Sequence, residues 1–174
     1  MLNTISAILN NGVSAVGDYE SIQTYTLGAN QASVTFSSIP STYTHLQIRV
    51  LARSVSAADW ISTNFNGDNT GTNYSRHLLQ GNGSAASASF GNDTLSILMY
   101  DTANGFAGGI IDILDYANTN KYKTGRALSG QDNNGTGAVQ LNSFSWRNTA
   151  AINTIRLSSG NIAQYSQFAL YGVK

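Results

Sequence analysis

Several kinds of residue are scarce or missing in this sequence of 174 residues, and each absence excludes a class of structure or chemistry. There is no cysteine, which excludes disulfide bonds, thiolate catalysis and cysteine-ligated metals. There is 1 proline, and only 10% of the residues are charged, against roughly 25% in an average soluble protein. The 9 Lys and Arg balance the 9 Asp and Glu and form no basic cluster. Because phosphate contact needs concentrated positive charge, we expect no nucleic-acid partner.

Long apolar runs and targeting signals are also missing. No apolar stretch approaches the roughly 20 residues of a membrane-spanning helix. The N-terminus has neither the basic start nor the continuous apolar core of a secretory signal. We therefore expect a soluble protein that is made in the cytoplasm and has no membrane partner.

Polar but uncharged residues take the place of the missing charge. Ser, Thr, Asn and Gln are abundant and 17 residues are glycine, a composition typical of short strands joined by tight turns. From Tyr19 onward, short apolar runs recur at spacings of roughly 8–12 residues with no long helical pattern between them. Residues 19–174 are therefore predicted to form an all-β antiparallel sandwich, jelly-roll-like, with about ten short strands. A surface with so little like charge also favours assembly.

Residues 1–18 follow a different period. Apolar side chains recur there at spacings of three and four, the period of an α-helix, and Gly12 interrupts them. Two interpretations fit this segment: a frayed terminus or short helix packed on its own domain, and an N-terminal arm that binds a neighbouring subunit. The side chains of the apolar stripe are Leu2, Ile5, Leu9, Val13 and Val16.

A β-hairpin over residues 108–130 is predicted at the centre of the sandwich. Its first arm, residues 110–114, is apolar enough to be buried on both faces, and a polar turn at residues 118–120 leads into an alternating second arm. Asp112 lies among isoleucines, and we expect it to pair with Arg126 across the hairpin.

Two further segments have less regular patterns. Residues 81–91 are rich in Ser, Ala and Gly and are predicted to be an exposed loop. A strand carrying Val139, Leu141, Phe144 and Trp146 has irregular apolar spacing, which suggests a bulge.

Residues that could carry chemistry are few and scattered. We expect the two histidines, His45 and His77, to face solvent from strands whose partner positions are apolar, and no spacing supports a Ser-His-Asp triad. The single glutamate and the dispersed aspartates do not suggest a glycosidase pair. Asn64, Asn66 and Asp68 alternate as in a Ca²⁺ loop, although a plain hairpin end explains them equally. We expect no enzymatic activity and no cofactor.

Aromatic side chains supply one more hypothesis. A sandwich would use most of the 9 Tyr and 2 Trp to fill its core. Some could instead form a stacking platform for a host glycan or a partner protein. The candidates for that platform are Trp60, Tyr74, Tyr100 and Trp146.

Seven short segments carry a family resemblance. They are VTFSSIP at 34–40 continuing into YTHLQIR at 43–49, FNGD at 65–68 with NYSRH at 73–77, DYANTNKYKT at 115–124, WRNTAAI at 146–152 and FALYGVK at 168–174. Over residues 19–174 the chain resembles small virion-associated proteins of tailed bacteriophages, frequent among aquatic phages. The resemblance implies a structural role and brings no catalytic residue with it, and residues 1–18 fall outside it.

The resemblance and the composition lead to two functional expectations. The first is a capsid decoration or cement protein on the outer capsid surface, a homotrimer whose arm over residues 1–18 contacts the major capsid protein or a neighbouring copy. The alternative is a tail-fibre or receptor-binding module that recognises a host surface glycan.

Overall fold

The structure is a computed structural model that describes residues 18–56, 59–100 and 103–174. In that part of the chain the regular elements are twelve β-strands and a 3₁₀ turn at Gly71–Asn73. The strands are β1 (Tyr19–Thr26), β2 (Gln31–Phe36), β3 (His45–Ala52), β4 (Asp59–Phe65), β5 (Tyr74–Gly81), β6 (Ala86–Gly91), β7 (Ser96–Met99), β8 (Ala107–Leu114), β9 (Lys123–Asp132), β10 (Gly137–Trp146), β11 (Ile155–Ile162) and β12 (Gln167–Val173).

The strands form two antiparallel sheets that pack as a sandwich. The larger sheet has the order β1-β12-β3-β8-β9-β10-β5-β6, and the smaller has the order β2-β11-β4-β7. The predicted all-β antiparallel sandwich is confirmed, with twelve strands. The arm predicted over residues 1–18 lies outside the described residues, apart from Asp18, so the placement of its apolar stripe stays a prediction.

The core lies between the two sheets, where alternate side chains of facing strands meet. In β3 every second residue points into the core, and Leu46, Ile48 and Val50 are all buried. The smaller sheet contributes Phe36, Ile61, Phe65, Ile97, Ile155 and Leu157 to the same cluster.

The predicted central hairpin is formed by β8 and β9. The two strands pair from Gly108 opposite Gly130 to Leu114 opposite Thr124, and Asp112 lies opposite Arg126. The expectation that the first arm is buried on both faces is wrong, since Ile110 is 43% exposed. The smaller sheet covers only one face of the larger sheet, so every second residue of β8 points away from the core.

Two other segments differ from their sequence-based predictions. Within the segment predicted as a loop, β6 is a strand because its backbone pairs with β5, although its Ser and Ala residues favour strands only weakly. The strand β10 has no bulge, since its register with β5 and β9 is continuous. Its apolar residues instead change faces, because Val139 and Leu141 point outward while Phe144 and Trp146 point inward.

Two features at the end of the hairpin fix its position. The Lys123 side chain is fully buried, and its ammonium donates to the carbonyls of Asn118, Lys121 and Thr149 at 2.5, 3.1 and 3.1 Å. Burial lowers the pKa of Lys123, and the neighbouring Lys121 charge lowers that pKa further. Two residues along the strand, the backbone of Gly125 packs directly against the ring of Phe144.

Candidate interaction surface

The predicted aromatic platform does not exist at the surface. Tyr74 and Trp146 are each 1% exposed and stack on one another in the core, with ring centroids 6.4 Å apart. Trp60 is 37% exposed on the smaller sheet, and Tyr100 is half-buried. The sequence alone did not reveal that these side chains are buried. Alternation along β5 and β10 shows which residues share a face of the sheet, but not which of the two faces the smaller sheet covers. Tyr74 and Trp146 are therefore core residues.

The loop that follows β4 is held by hydrogen bonds centred on Asp68. Its carboxylate accepts bonds from the Trp146 indole N–H at 2.8 Å, the Asn73 side-chain amide at 2.9 Å and the Thr70 backbone N–H at 2.9 Å. Its backbone carbonyl accepts a bond from the Tyr74 hydroxyl at 2.9 Å. Burial alone would raise the pKa of Asp68, but the three hydrogen bonds to the carboxylate outweigh burial and lower that pKa.

These bonds occupy the side chains that the calcium hypothesis requires. The Asn64 amide donates to the backbone carbonyl of Asp68, and the Asn66 side chain bonds the backbone of the 151–154 segment. The three side chains thus point to different partners and do not converge on a common point. Within the described ranges, no group of three His, Cys, Asp or Glu could hold a metal ion.

The two histidines have ordinary surroundings. His45 is half-buried, and its Nδ1 accepts a hydrogen bond from the Asp115 backbone N–H at 3.0 Å. His77 is exposed, as predicted, and its ring lies 6.0 Å from that of Phe90. Neither ring is hydrogen-bonded to a serine hydroxyl among the described residues.

Four large aliphatic side chains form a continuous row across the exposed face of the larger sheet. They lie on the adjacent strands β8, β9, β10 and β5, each directly opposite the next. In order they are Ile110, Leu128, Leu141 and Leu79, and they are 43%, 54%, 49% and 54% exposed. Because side chains of directly opposite residues have Cβ atoms about 5 Å apart, the four make one uninterrupted apolar strip.

Three more side chains widen this strip into a patch. Leu51 and Val139 lie on one side of it, 44% and 56% exposed, and Phe90 lies on the other, 79% exposed. We call these seven residues the apolar face. If a fully exposed large apolar side chain presents roughly 200 Å², the apolar face presents about 750 Å². The largest patch on a typical monomer is about 300–600 Å², so this one has the size of a binding surface.

Polar side chains are buried directly behind the apolar face. On the inward side of β9 and β10, Ser129, Gln140 and Asn142 are almost fully buried. Gln140 donates to the Gln80 side chain at 2.6 Å, but the side-chain oxygens of Ser129, Gln140 and Asn142 have no hydrogen-bond partner among the described protein groups. Polar amides are buried here while leucines are exposed to solvent, which is the opposite of the arrangement that stabilises an isolated sheet in water. The exposed leucines are thus not explained by the stability of one copy.

Three charged groups beside the aliphatic row are paired or covered. Arg126 pairs with Asp112 at 3.0 Å, as predicted from the sequence, and Gln47 donates to the same carboxylate at 2.9 Å. At the β3 end of the row, the Arg49 guanidinium lies 4.6 Å from the ring centroid of Tyr171 and also contacts Tyr19. These three charged side chains next to the aliphatic row are therefore paired with an opposite charge or covered by aromatic rings.

Two shallow grooves give this face its relief. One, of about 420 Å³, runs between Leu79, Phe90 and Leu141. The other, of about 530 Å³, has Gly81 and Gly130 in its lining and lies beside Val139. A ridge next to a glycine-lined groove is the relief expected of a surface that receives another protein side chain.

The sequence pattern of this surface becomes recognisable only once the covered face of the larger sheet is known. Leu51 interrupts the polar side of β3, and the outward positions of β8, β9, β10 and β5 are repeatedly aliphatic. Among the described residues the structure has no helix of the length and apolar character needed to cross a membrane. Comparison of the chain with protein-family models, with curated proteins and with solved structures found no match, so the functional proposal rests on this surface and on the sequence resemblance.

Proposed function

We propose that the protein is a structural component of a tailed-phage virion, where it decorates the outer capsid shell. The observation that carries this proposal is the apolar face, which suits a protein that acts by binding other proteins. The resemblance of residues 19–174 to virion-associated phage proteins supports the same role. The partners are the major capsid protein and further copies of this chain.

The mechanism in this proposal is binding energy distributed over many copies. Burial of about 750 Å² at about 25 cal/mol per Å² corresponds to roughly 19 kcal/mol before the costs of association are subtracted. Lost translational freedom and ordered side chains offset most of that gain. Each contact is then modest, and a shell held by many such contacts resists disassembly through their multiplicity.

The alternative role, a tail-fibre module that binds a host glycan, has less support. Of its four aromatic candidates, Tyr74 and Trp146 lie in the core, Tyr100 is half-buried, and Trp60 is 37% exposed. Glycan recognition by stacking usually needs an exposed aromatic face together with several convergent polar groups.

Electron microscopy of virions carrying this protein, together with its copy number per particle, tests the proposal. We expect density over the whole capsid surface and hundreds of copies in each virion. A handful of copies confined to the tail, combined with specific retention on a glycan array, would establish the alternative. A Trp60→Ala variant provides the control for that array, because it removes the one exposed candidate for glycan stacking.

A further inference from the structure

We propose that the apolar face of one copy packs against the same face of a second copy, related by a twofold axis in the interface. The axis runs parallel to the strands and passes between β9 and β10. This inference rests on the proposed role of the apolar face as a binding surface and names the partner that covers it.

The size of the face matches what a stable dimer needs. A standard protein interface buries about 800 Å² on each partner, and the seven side chains alone present about 750 Å². Two sheets that pack face to face lie about 10 Å apart with strands nearly aligned, so the outward rows of both copies come into contact.

The aliphatic row is symmetric about the line between β9 and β10. Two of its members lie on each side of that line, Ile110 and Leu128 on one side and Leu141 and Leu79 on the other. A half-turn about the proposed axis therefore places Leu128 over Leu141 of the second copy and Ile110 over Leu79 of the second copy. Each aliphatic side chain meets another, as an isologous interface requires.

The neighbouring rows are complementary under the same rotation. On one side of the aliphatic row, Val139 lies opposite Gly130 within the sheet, so the rotation places Val139 over the glycine-lined groove at Gly130 of the second copy. On the other side, Asp112 and His77 occupy equivalent distances from the axis, and the carboxylate of one copy faces the imidazole of the other. The Val139 side chain thus meets a groove, and the Asp112 carboxylate meets an imidazole ring.

Charge favours a second copy over the other occupants of such a face. The chain has 9 basic and 9 acidic residues, so two copies do not repel each other through net charge. Binding to an anionic membrane surface or to nucleic acid would need clustered cations. On this face Arg126 is instead paired with Asp112, and Arg49 is held against tyrosine rings.

The first test is the mass of the purified protein in solution, measured by sedimentation equilibrium and light scattering. We expect twice the chain mass of 18.5 kDa, at concentrations up to about 100 µM, a hundredfold above a micromolar Kd. A monomer throughout that range would overturn the inference. So would a trimer, because a twofold contact closes at two copies.

Charge variants at the centre of the row test the surface. Leu141→Lys and Leu128→Glu each leave two unpaired charges in the homodimer, and each should raise the Kd at least about a hundredfold. Thr35→Lys is the matched control, since Thr35 is an exposed strand residue of the smaller sheet. Circular dichroism confirms that the variants are folded. Equal loss of dimer in the control would overturn the assignment of the surface.

Mixing the two interface variants tests the position of the axis. In the mixed dimer, Lys at position 141 of one copy faces Glu at position 128 of the other, and the second pair remains Leu128 over Leu141. We expect the mixture to recover the dimer mass, and failure to recover it would overturn the proposed axis. Capsid attachment is measured in a separate experiment. A dimer that does not attach to capsids contradicts only the virion proposal. A monomer that does attach contradicts only the proposed dimer.

Discussion

Replacing Asp68 by Asn should destabilise the protein by about 3 kcal/mol. The carboxylate accepts three hydrogen bonds, and the donor from Trp146 belongs to a side chain that is 1% exposed. The Trp146 and Asn73 donors share Oδ2 while Thr70 donates to Oδ1, so an asparagine oxygen in the Oδ2 position keeps the first two bonds and turns its N–H toward Thr70. The Thr70 bond is lost, and the two bonds that remain fall from charge-assisted strength, about 1.5–3 kcal/mol each, to neutral strength, about 0.5–1.5 kcal/mol each. For a domain of this length, about 3 kcal/mol corresponds to a fall in Tm of roughly 6–12 °C.

Urea unfolding followed by tryptophan fluorescence measures this loss directly. A Trp60→Phe background leaves Trp146 as the sole tryptophan, so the signal comes from the indole that donates to Asp68. Asp93→Asn is the matched control, because Asp93 also accepts bonds from a side chain, Arg76, but at the surface. The control should lose no more than about 1 kcal/mol.

The destabilisation should depend on pH with a definite sign. The pKa of Asp68 in the folded protein is lowered from its ordinary value of 3.8. The carboxylate therefore contributes fully to the free energy of unfolding above about pH 4, and this contribution is lost as the pH falls through the lowered pKa. The difference in unfolding free energy between native protein and Asp68→Asn should shrink over that acidic range.

Two results would refute this account of the Asp68 loop. One is an Asp68→Asn variant whose unfolding free energy lies within 0.5 kcal/mol of the native value, the usual range for a neutral surface change. The other is a rise in Tm on adding Ca²⁺ that Asp68→Asn abolishes, since the hydrogen bonds described above leave no carboxylate oxygen free of donors for a cation.

Two further substitutions test the end of the central hairpin, with Tm as the measurement. Gly125→Ala should cost about 3 kcal/mol, because the new Cβ would overlap the Phe144 ring and lie 2.5 Å from the Asp112 carbonyl oxygen. Gly28→Ala is the control, since a Cβ there meets open space away from the apolar face, and it should change stability by less than about 0.5 kcal/mol. Lys123→Met should cost about 2 kcal/mol, because it leaves three backbone carbonyls without their ammonium donor. An unchanged Tm would show that the hydrogen bonds from Lys123 to these carbonyls do not stabilise the fold.

The architecture could be predicted because its signals are local. Short alternating runs separated by polar turns define strands, and the polar turn at residues 118–120 joins two of them into the central hairpin. The pairing of Asp112 with Arg126 also followed from the sequence, since the turn position sets the register that brings them opposite one another.

The binding surface could not be predicted because it depends on which sheet face is covered. In β10 both sets of alternate residues contain apolar side chains, with Val139 and Leu141 on one face and Phe144 and Trp146 on the other. Nothing local shows that the smaller sheet covers the second pair and leaves the first pair exposed. The same ambiguity made the aromatic residues Tyr74 and Trp146 look available for binding.

The position of β12 constrains how the protein is made. This strand is the last of the twelve that the structure describes, yet it lies inside the larger sheet between β1 and β3. Neither β1 nor β3 can complete its ladder until β12 has been synthesised, so the earliest strands wait with open edges during translation. Such distant pairings slow folding, and in this interval the exposed leucines of unfinished copies are open to mispairing. The low content of charged residues favours assembly of the finished protein, but it also leaves the nascent chain prone to aggregation.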